Sequence, residues 1–292
     1  MAQIAKYRDY KPSGKAPFSG VLSAFIITTI VSIILGLVAA GVAQFVYLVF
    51  VFPIAMIGLG AVTVENSAKA GKIRNRLVFV LLGLWSGALI YSTYWTGEYL
   101  FIVEDFYQTY QEEGFTRLDA LAEVGASLED DTGYPHVLGY ILWSIEGGLE
   151  LSSTRPGSSS GFSLDEQQTA IYWGVEALAV VILTAVFAFI AGKAPFSEDC
   201  GKWYDKAEPE FIGYVDNKDG KQFIKYMRAS QIAEASNLVN LEQGNTHLFA
   251  FYFDQCNSNE IMLRTIRYQG RNKVAIDGIM TKSAYNEFLS LL

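Results

Sequence analysis

The chain has 292 residues, of which 51% are hydrophobic and 18% are charged, and its formal net charge is −8. Soluble globular domains carry about 25% charged residues, so this composition and a mean hydropathy of +0.23 exclude an ordinary soluble protein and predict a membrane protein. Two cysteines exclude a disulfide-stapled secreted module. An aromatic content of 14% excludes a disordered chain.

Four apolar segments predict an α-helical integral membrane protein. Residues 20–64 carry no charged side chain, and at about 1.5 Å per residue a helix of that length crosses a hydrocarbon core of about 30 Å twice. The predicted transmembrane helices cover about 20–42, 44–64, 77–97 and 169–191. A secretory signal peptide is the competing interpretation of the first helix, because Gly41-Val42-Ala43 resembles a cleavage site. Its apolar stretch, however, is longer than the usual 7 to 15 or so residues.

Lysine and arginine near the helix ends predict the orientation. Basic residues before the first helix and between the second and third are Lys6, Arg8, Lys11, Lys15, Lys69, Lys72, Arg74 and Arg76. The segment 98–168 contains only Arg117 and Arg155. Both termini are therefore expected in the cytoplasm. The absence of any Asn-x-Ser/Thr sequence gives no sign of a glycosylated exterior, so a cell membrane, in particular a bacterial inner membrane, is the expected location.

Residues 98–168, here called the insertion, are expected outside the cytoplasm. They carry fourteen acidic and two basic residues, a net charge of −12. Apolar residues at helical spacing predict three amphipathic helices. The third, 136–151, is open to an interfacial or a re-entrant placement. Residues 155–161 have the composition of a flexible tether into the last transmembrane helix.

Residues 1–19 are expected to form a cytoplasmic N-terminal segment, and residues 192–292 a cytoplasmic α+β domain. In the latter, a helix carries a basic stripe, and His247 to Phe253 with Ile261 to Tyr268 suggest a β-hairpin. A strand at 274–279 and a helix at 283–292 follow. Because the core of such a domain is modest, we expect it to lean on a partner or a second copy.

Glu176 is the one acid or base clearly inside a predicted transmembrane helix. An ionisable group there costs several kcal/mol unless it is paired, hydrated or protonated. One interpretation is a proton or cation site, and a second is a contact between helices, for which the hydroxyls of Thr28, Thr29, Ser32 or residues 91–94 are candidates. A third is a shallow position reached by water. No second intramembrane charge is present to form a relay, which weakens the first interpretation.

Small residues four apart allow close approach of transmembrane helices. The pairs are Gly36 with Ala40 and Gly83 with Gly87. Packing within one chain is one interpretation. The other is self-association, which makes a homo-oligomer or a subunit of a larger membrane complex the expected assembly.

Basic residues flanking the membrane predict contacts with lipid headgroups. The hexapeptide Gly-Lys-Ala-Pro-Phe-Ser occurs at 14–19 and at 192–197, which places Lys15 and Lys193 as interfacial anchors. The predicted stripe on the C-terminal helix contains Lys218, Lys221, Lys225 and Arg228. It is expected to touch anionic lipid or a partner. The net charge of −1 over 192–292 disfavours nucleic acid as the partner.

Metal and cofactor sites are not predicted. Cys200 and Cys256 cannot supply a four-thiolate zinc site, and reduced thiols fit the expected cytosolic side. No phosphate loop, dinucleotide loop or catalytic triad pattern is present in the sequence.

The function expected from these features is non-enzymatic. We predict a multi-pass membrane scaffold, sensor or complex subunit that joins the acidic insertion to a cytoplasmic interaction domain. The alternative is a transporter or channel for a small solute, an ion or a proton that uses Glu176. A membrane enzyme is a third, weaker alternative because no catalytic motif supports it.

Overall fold

The computed structural model describes residues 6–45, 51–151, 162–204, 209–216, 218–240, 247–252, 259–269 and 272–292. The chain divides into two compact units. One contains Ala16–Gly192, and the other contains the chain up to Lys15 together with Lys193–Leu292. The first strand of the chain, β1 (Tyr7–Asp9), therefore belongs with the C-terminal residues.

Four helices of the unit Ala16–Gly192 are long and apolar enough to span a membrane, which confirms the number predicted from the sequence. They are α1 (Phe18–Ala43), α2 (Val51–Ala70), α3 (Arg76–Tyr110) and α6 (Glu166–Ala191). The Asn75 side chain caps α3 by accepting a hydrogen bond from the backbone N–H of Leu77 (2.9 Å). Asp165 and Gln168 form a capping box at the start of α6.

Small and hydroxyl side chains form the buried face of α1, and large apolar side chains cover its outer face. The buried residues of α1 recur every fourth position, at Gly20, Ala24, Thr28, Ser32, Gly36 and Ala40. Facing outward on the same helix, Ile30 is 53% exposed, as expected for a surface that contacts lipid. Hydroxyl pairs join Thr28 to Ser67 and Ser32 to Ser86, each at 2.8 Å.

The third transmembrane helix continues into the insertion without a break. At about 1.5 Å per residue, the 35 residues of α3 measure about 52 Å, which exceeds the thickness of a hydrocarbon core. Two further helices follow, α4 (Arg117–Thr132) and α5 (His136–Glu146). The helical pattern predicted as far as residue 151 ends earlier, and β2 (Leu149–Leu151) pairs antiparallel with β3 (Phe162–Leu164). The predicted tether at 155–161 lies outside the described residues.

The C-terminal unit is an α+β fold around a six-stranded antiparallel sheet. Its longer strands are β6 (Pro209–Val215), β8 (His247–Tyr252), β9 (Glu260–Gln269) and β10 (Asn272–Thr281), and its short strands are β4 (Phe196–Ser197), β5 (Lys202–Trp203) and β7 (Val239–Asn240). The sheet order is β1-β10-β9-β8-β6-β7, and β4 pairs with β5 separately. The predicted hairpin is confirmed, because β8 pairs antiparallel with β9.

Three helices, α7 (Gly220–Arg228), α8 (Ile232–Ser236) and α9 (Lys282–Leu289), contribute to the core of this unit. Phe223, Met227 and Phe288 are fully buried there. Tyr7 of β1 is buried in the same core and is only 2% exposed. Burial raises the pKa of the Tyr7 hydroxyl well above its ordinary value, with a further contribution from the charge of Asp9. The segment before the first transmembrane helix is thus part of this fold.

Cys200 of the C-terminal unit is disulfide-bonded. The prediction of a reduced thiol is therefore wrong for Cys200. The sequence contains one other cysteine, Cys256, which lies outside the described residues. Disulfides persist mainly in oxidising compartments, so this bond bears on the orientation of the chain.

Candidate functional site

A cavity of about 380 Å³ lies where α3, α5 and α6 meet at the insertion end of the bundle. We call it the Glu98 cavity. The side chains that shape it include Tyr94, Trp95, Glu98, Tyr140, Trp143, Ser144 and Trp173. Positions 94, 95 and 98 lie on one face of α3, because residues three and four apart are neighbours on a helix.

Aromatic rings form most of the wall of the Glu98 cavity. The Trp95 ring lies edge-on to Trp173, with 4.7 Å between ring centroids, and edge-on to Tyr140 at 6.0 Å. Tyr94 contacts Trp95 at 5.7 Å, and Trp143 stacks on Tyr140 at 6.2 Å. Edge-to-face contacts of this kind stabilise aromatic clusters by about 0.5 to 1.5 kcal/mol each beyond the area they bury. The wall is therefore a surface of mutually packed rings to which α3, α5 and α6 all contribute.

The carboxylate of Glu98 is the acidic group of this cavity. Its Oε2 accepts a hydrogen bond from Nε2 of Gln44 at 3.0 Å. Its Oε1 is buried and has no hydrogen-bond partner within the described part of the chain. A buried polar atom without a partner costs free energy.

The Glu98 carboxylate affects the pKa of the Tyr140 hydroxyl. Burial raises the pKa of the Tyr140 hydroxyl above its usual value, and the negative charge of Glu98 raises it further. The phenol therefore stays protonated at neutral pH and adds no second charge to the cavity. Ser144, on the same helix, donates its hydroxyl to the backbone oxygen of Tyr140 at 2.7 Å.

A second cavity of about 550 Å³ adjoins the first, because Tyr140 and Trp143 line both. It lies among α3, α4 and α5, and we call it the acidic groove. Its floor includes the mutually packed rings of Phe106, Tyr110 and Phe115. The acids along it are Glu113, Glu123 and Asp131.

Basic side chains do not compensate these acids in the described part of the insertion. Arg117 is the only basic residue there, since Arg155 lies outside the described residues. The Arg117 guanidinium makes two hydrogen bonds to Glu104, at 2.9 and 3.0 Å. The pKa of Arg117 is raised by that hydrogen bonding and by the charge of Glu104. The acids of the groove therefore keep a local excess of negative charge.

Glu176, the acid singled out in the sequence, is 7% exposed on α6. Its Oε2 accepts a hydrogen bond from the Tyr172 hydroxyl at 2.7 Å, one turn earlier on the same helix. The hydroxyls expected to reach it from α1 bond elsewhere: Thr28 to Ser67 and Ser32 to Ser86. Glu176 lies about one helical turn after Trp173, which lines the Glu98 cavity.

The four small residues predicted for helix packing all contact other helices of the same chain. A Cβ added at Gly36 would overlap Thr93, and the Cβ of Ala40 lies against Gly97, both on α3. A Cβ at Gly83 would lie 2.6 Å from Cα of Ala185, and one at Gly87 would lie 2.8 Å from Cα of Val181, both on α6. These faces are covered within one chain and are not available to a second copy.

The predicted lipid-contact residues fall into two groups. Lys15 pairs with Glu198 at 3.2 Å, and Arg228 pairs with Asp9 at 2.9 Å. Lys193, Lys218, Lys221 and Lys225 are exposed. Of these, Lys221 and Lys225 lie one turn apart on α7, whereas Lys218 precedes the helix.

Within the described ranges, no group of three His, Cys, Asp or Glu side chains has a geometry that would hold a metal ion. Comparison of the chain with protein-family models, with curated proteins and with solved structures gives no match. Function is therefore inferred from the chain's own residues.

Proposed function

We propose that the protein is a non-enzymatic, multi-pass membrane sensor or complex subunit that recognises a small ligand in the insertion and a partner through its C-terminal α+β unit. The observation that carries this proposal is the Glu98 cavity. It combines an aromatic wall with a single carboxylate, that of Glu98, among its described lining residues. Such a cavity has the features of a ligand site, namely an apolar lining with few polar groups that fix orientation.

The polar groups of the cavity favour binding over catalysis. Covalent catalysis needs a nucleophile that an adjacent base activates. The Ser144 hydroxyl instead donates to the backbone oxygen of Tyr140. Glu98 is the only carboxylate among the residues that line the cavity in the described structure. A role in recognition needs only this one acid.

The C-terminal unit is proposed as the part that contacts a partner. Lys221 and Lys225 present two exposed charges on one face of α7, which suits anionic lipid headgroups or an acidic protein surface. Self-association remains part of the proposal, but the faces of Gly83 and Gly87 do not supply it. A homo-oligomer would have to form through other surfaces.

The proposed orientation has both termini in the cytoplasm and the insertion outside, in a bacterial inner membrane. The support is the distribution of lysine and arginine, with eight flanking the first three helices and two in the insertion. The disulfide of Cys200 favours the opposite placement of the C-terminal unit. We give more weight to the basic residues because their bias involves eight charges in two separate segments, whereas the disulfide is a single bond.

The test of ligand recognition is a thermal-stability screen of the full-length protein, purified in an uncharged detergent, against small cations, anions and neutral solutes. A ligand that binds the folded state and not the unfolded state raises the melting temperature, and the rise grows with the ratio of the ligand concentration to its Kd. At least one class should raise it, and proteoliposomes should show no flux of that solute. If no class of solute changes the melting temperature, ligand recognition by the insertion is wrong.

A second candidate function is transport, and the position of Glu176 favours it. This carboxylate is buried on α6 one turn from Trp173, which lines the Glu98 cavity. A solute entering that cavity would thus be close to an intramembrane acid, the type of residue that marks ion and proton pathways. Flux of a solute in proteoliposomes, dependent on Glu176, would favour this function over the sensor.

A further inference from the structure

We propose that the Glu98 cavity binds an organic ammonium cation, with Glu98 as its counter-ion and the surrounding aromatic rings as its cage. This inference rests on the proposed function and specifies the class of ligand.

The negative charge of Glu98 favours a cationic ligand. Glu98 is the only carboxylate among the described residues that line the cavity, and Gln44 holds it in place by donating a hydrogen bond to its Oε2. A cationic ligand would be attracted to this negative charge, whereas an anionic ligand would face a like charge at close range.

The aromatic wall of the cavity also favours a cationic ligand. A cation is attracted to the faces of tryptophan and tyrosine rings, and the attraction is about 2 kcal/mol or more when the site is desolvated. The cavity brings together Trp95, Trp143, Trp173, Tyr94 and Tyr140. Quaternary ammonium ligands are recognised by cages of this composition.

An inorganic cation fits this cavity less well than an organic one. Hard cations such as calcium need six or more oxygen ligands, and the described cavity offers one carboxylate among apolar rings. A volume of about 380 Å³ is also far larger than a bare ion requires. An alkylated ammonium group matches both the single charge and the apolar wall.

The acidic groove extends this site. It shares Tyr140 and Trp143 with the Glu98 cavity and is lined by the acids Glu113, Glu123 and Asp131. Its negative potential would raise the local concentration of cations at the cavity. Its rings offer a surface for an apolar substituent of the ligand.

The experiment measures binding of choline and benzyltrimethylammonium to the full-length protein by isothermal titration calorimetry. The control ligand is 3,3-dimethylbutan-1-ol, the uncharged analogue of choline with nearly the same shape. We expect both cations to bind at least 10-fold more tightly than this alcohol. Equal binding of choline and the alcohol, or binding of anions alone, would overturn the inference, and this comparison needs no variant.

Variants locate the binding. Glu98→Gln should weaken cation binding at least 10-fold, and Trp173→Leu should weaken it independently if the first variant is poorly folded. Glu112→Gln is the matched control, because Glu112 is an exposed acid of the insertion that lines neither cavity. Unchanged binding in both cavity variants would contradict the assignment.

Two sources of the ammonium group are distinguished in nanodiscs. If the cavity takes a free solute, choline binds equally in discs of phosphatidylglycerol and in discs that also contain phosphatidylcholine. If it takes a lipid headgroup, phosphatidylcholine weakens choline binding by competition. Either result supports the ammonium class. If only neutral solutes or anions stabilise the protein, the class is wrong while ligand recognition in the insertion stands.

Discussion

Glu176 and Glu98 have different surroundings, and we infer different roles for them. Glu176 is buried in the bundle and accepts a hydrogen bond from Tyr172 of its own helix. Glu98 lies at the end of the bundle, where Gln44 bonds one oxygen and the other is buried without a partner in the described structure. The first arrangement is typical of a structural residue, whereas Glu98 also lines a cavity that is large enough for a small ligand.

Glu176 gives a prediction that separates the two candidate functions. Gln at position 176 keeps an acceptor for the Tyr172 hydroxyl, so a structural role predicts normal abundance and a mild loss of stability. Leu removes the acceptor and should cost more, although polar contacts in membranes average only about 0.6 kcal/mol. The measurement is the melting temperature of both variants in detergent. Gradient-driven flux in proteoliposomes that disappears in Glu176→Gln would contradict the structural role and support transport.

Sequence reasoning could identify Glu176 but not Glu98, for a physical reason. Glu176 is conspicuous because it interrupts an apolar segment, and its environment follows from membrane position alone. Glu98 follows directly after the third predicted span, where a charge is ordinary. Its cavity depends on Tyr140 and Trp173 from two other helices, and no spacing within α3 reveals these partners. The available signal was the clustering of Tyr94 and Trp95 with an acid on one helix face.

Two glycines of α3 allow the close approach of α3 and α6. A Cβ at Gly83 would meet Cα of Ala185, and one at Gly87 would meet Cα of Val181. Backbone atoms cannot rotate out of the way as a flexible side chain can. We therefore predict that Gly83→Ala and Gly87→Ala each destabilise the protein by about 1 to 3 kcal/mol, the usual cost of overpacking.

Gly58 is the matched control for these variants, because it lies in transmembrane helix α2 and a Cβ there would meet nothing within 4 Å. Gly58→Ala should leave the melting temperature unchanged or raise it slightly, since alanine favours helices. The readout is thermal denaturation in detergent together with the mass of the particle. Lower particle mass with unchanged stability in Gly83→Ala would instead indicate that this face joins two copies.

Helices and strands with a strong periodic pattern can be predicted from the sequence, whereas the boundaries between neighbouring elements cannot. Charge-free residues determine α1 and α2, and the hairpin of β8 and β9 follows from alternating apolar residues. The sequence predicts a separate helix after the third span, because the apolar pattern changes to an amphipathic one near residue 97, whereas α3 runs through this position as one continuous helix. Helical spacing predicts a helix as far as residue 151, but Leu149–Leu151 forms a strand because it pairs with Phe162–Leu164, a partner outside the local pattern.

The C-terminal unit is built from two stretches of the chain, one that precedes and one that follows the unit Ala16–Gly192. Tyr7 is buried in the core beside residues of α7 and α9, and β1 pairs with β10. We predict that Tyr7→Ala destabilises this unit by about 3 to 5 kcal/mol, the usual cost of truncating a large buried aromatic side chain. Limited proteolysis of the full-length protein should then show faster cleavage within residues 193–292.

Arg8→Ala is the control for that variant. Arg8 belongs to the same strand but is mostly exposed, and its pairing with Glu260 at 2.6 Å is an ion pair near solvent. Such pairs contribute at most about 1 kcal/mol, so cleavage should stay near that of the unmodified protein. Equal cleavage in Tyr7→Ala and Arg8→Ala would show that β1 is dispensable for the unit.

Two physical signals disagree about the orientation of the chain in the membrane. Eight basic residues near the first three helices favour termini in the cytoplasm, while the disulfide of Cys200 is typical of an oxidising compartment. Single cysteines are introduced at position 130 of the insertion and at position 221 of α7, in a background in which Cys200 and Cys256 are replaced by serine. An impermeant maleimide applied to intact cells should label position 130 directly and position 221 only after the membrane is disrupted. The reverse pattern would place the C-terminal unit outside, and the disulfide would then be the better guide to the compartment.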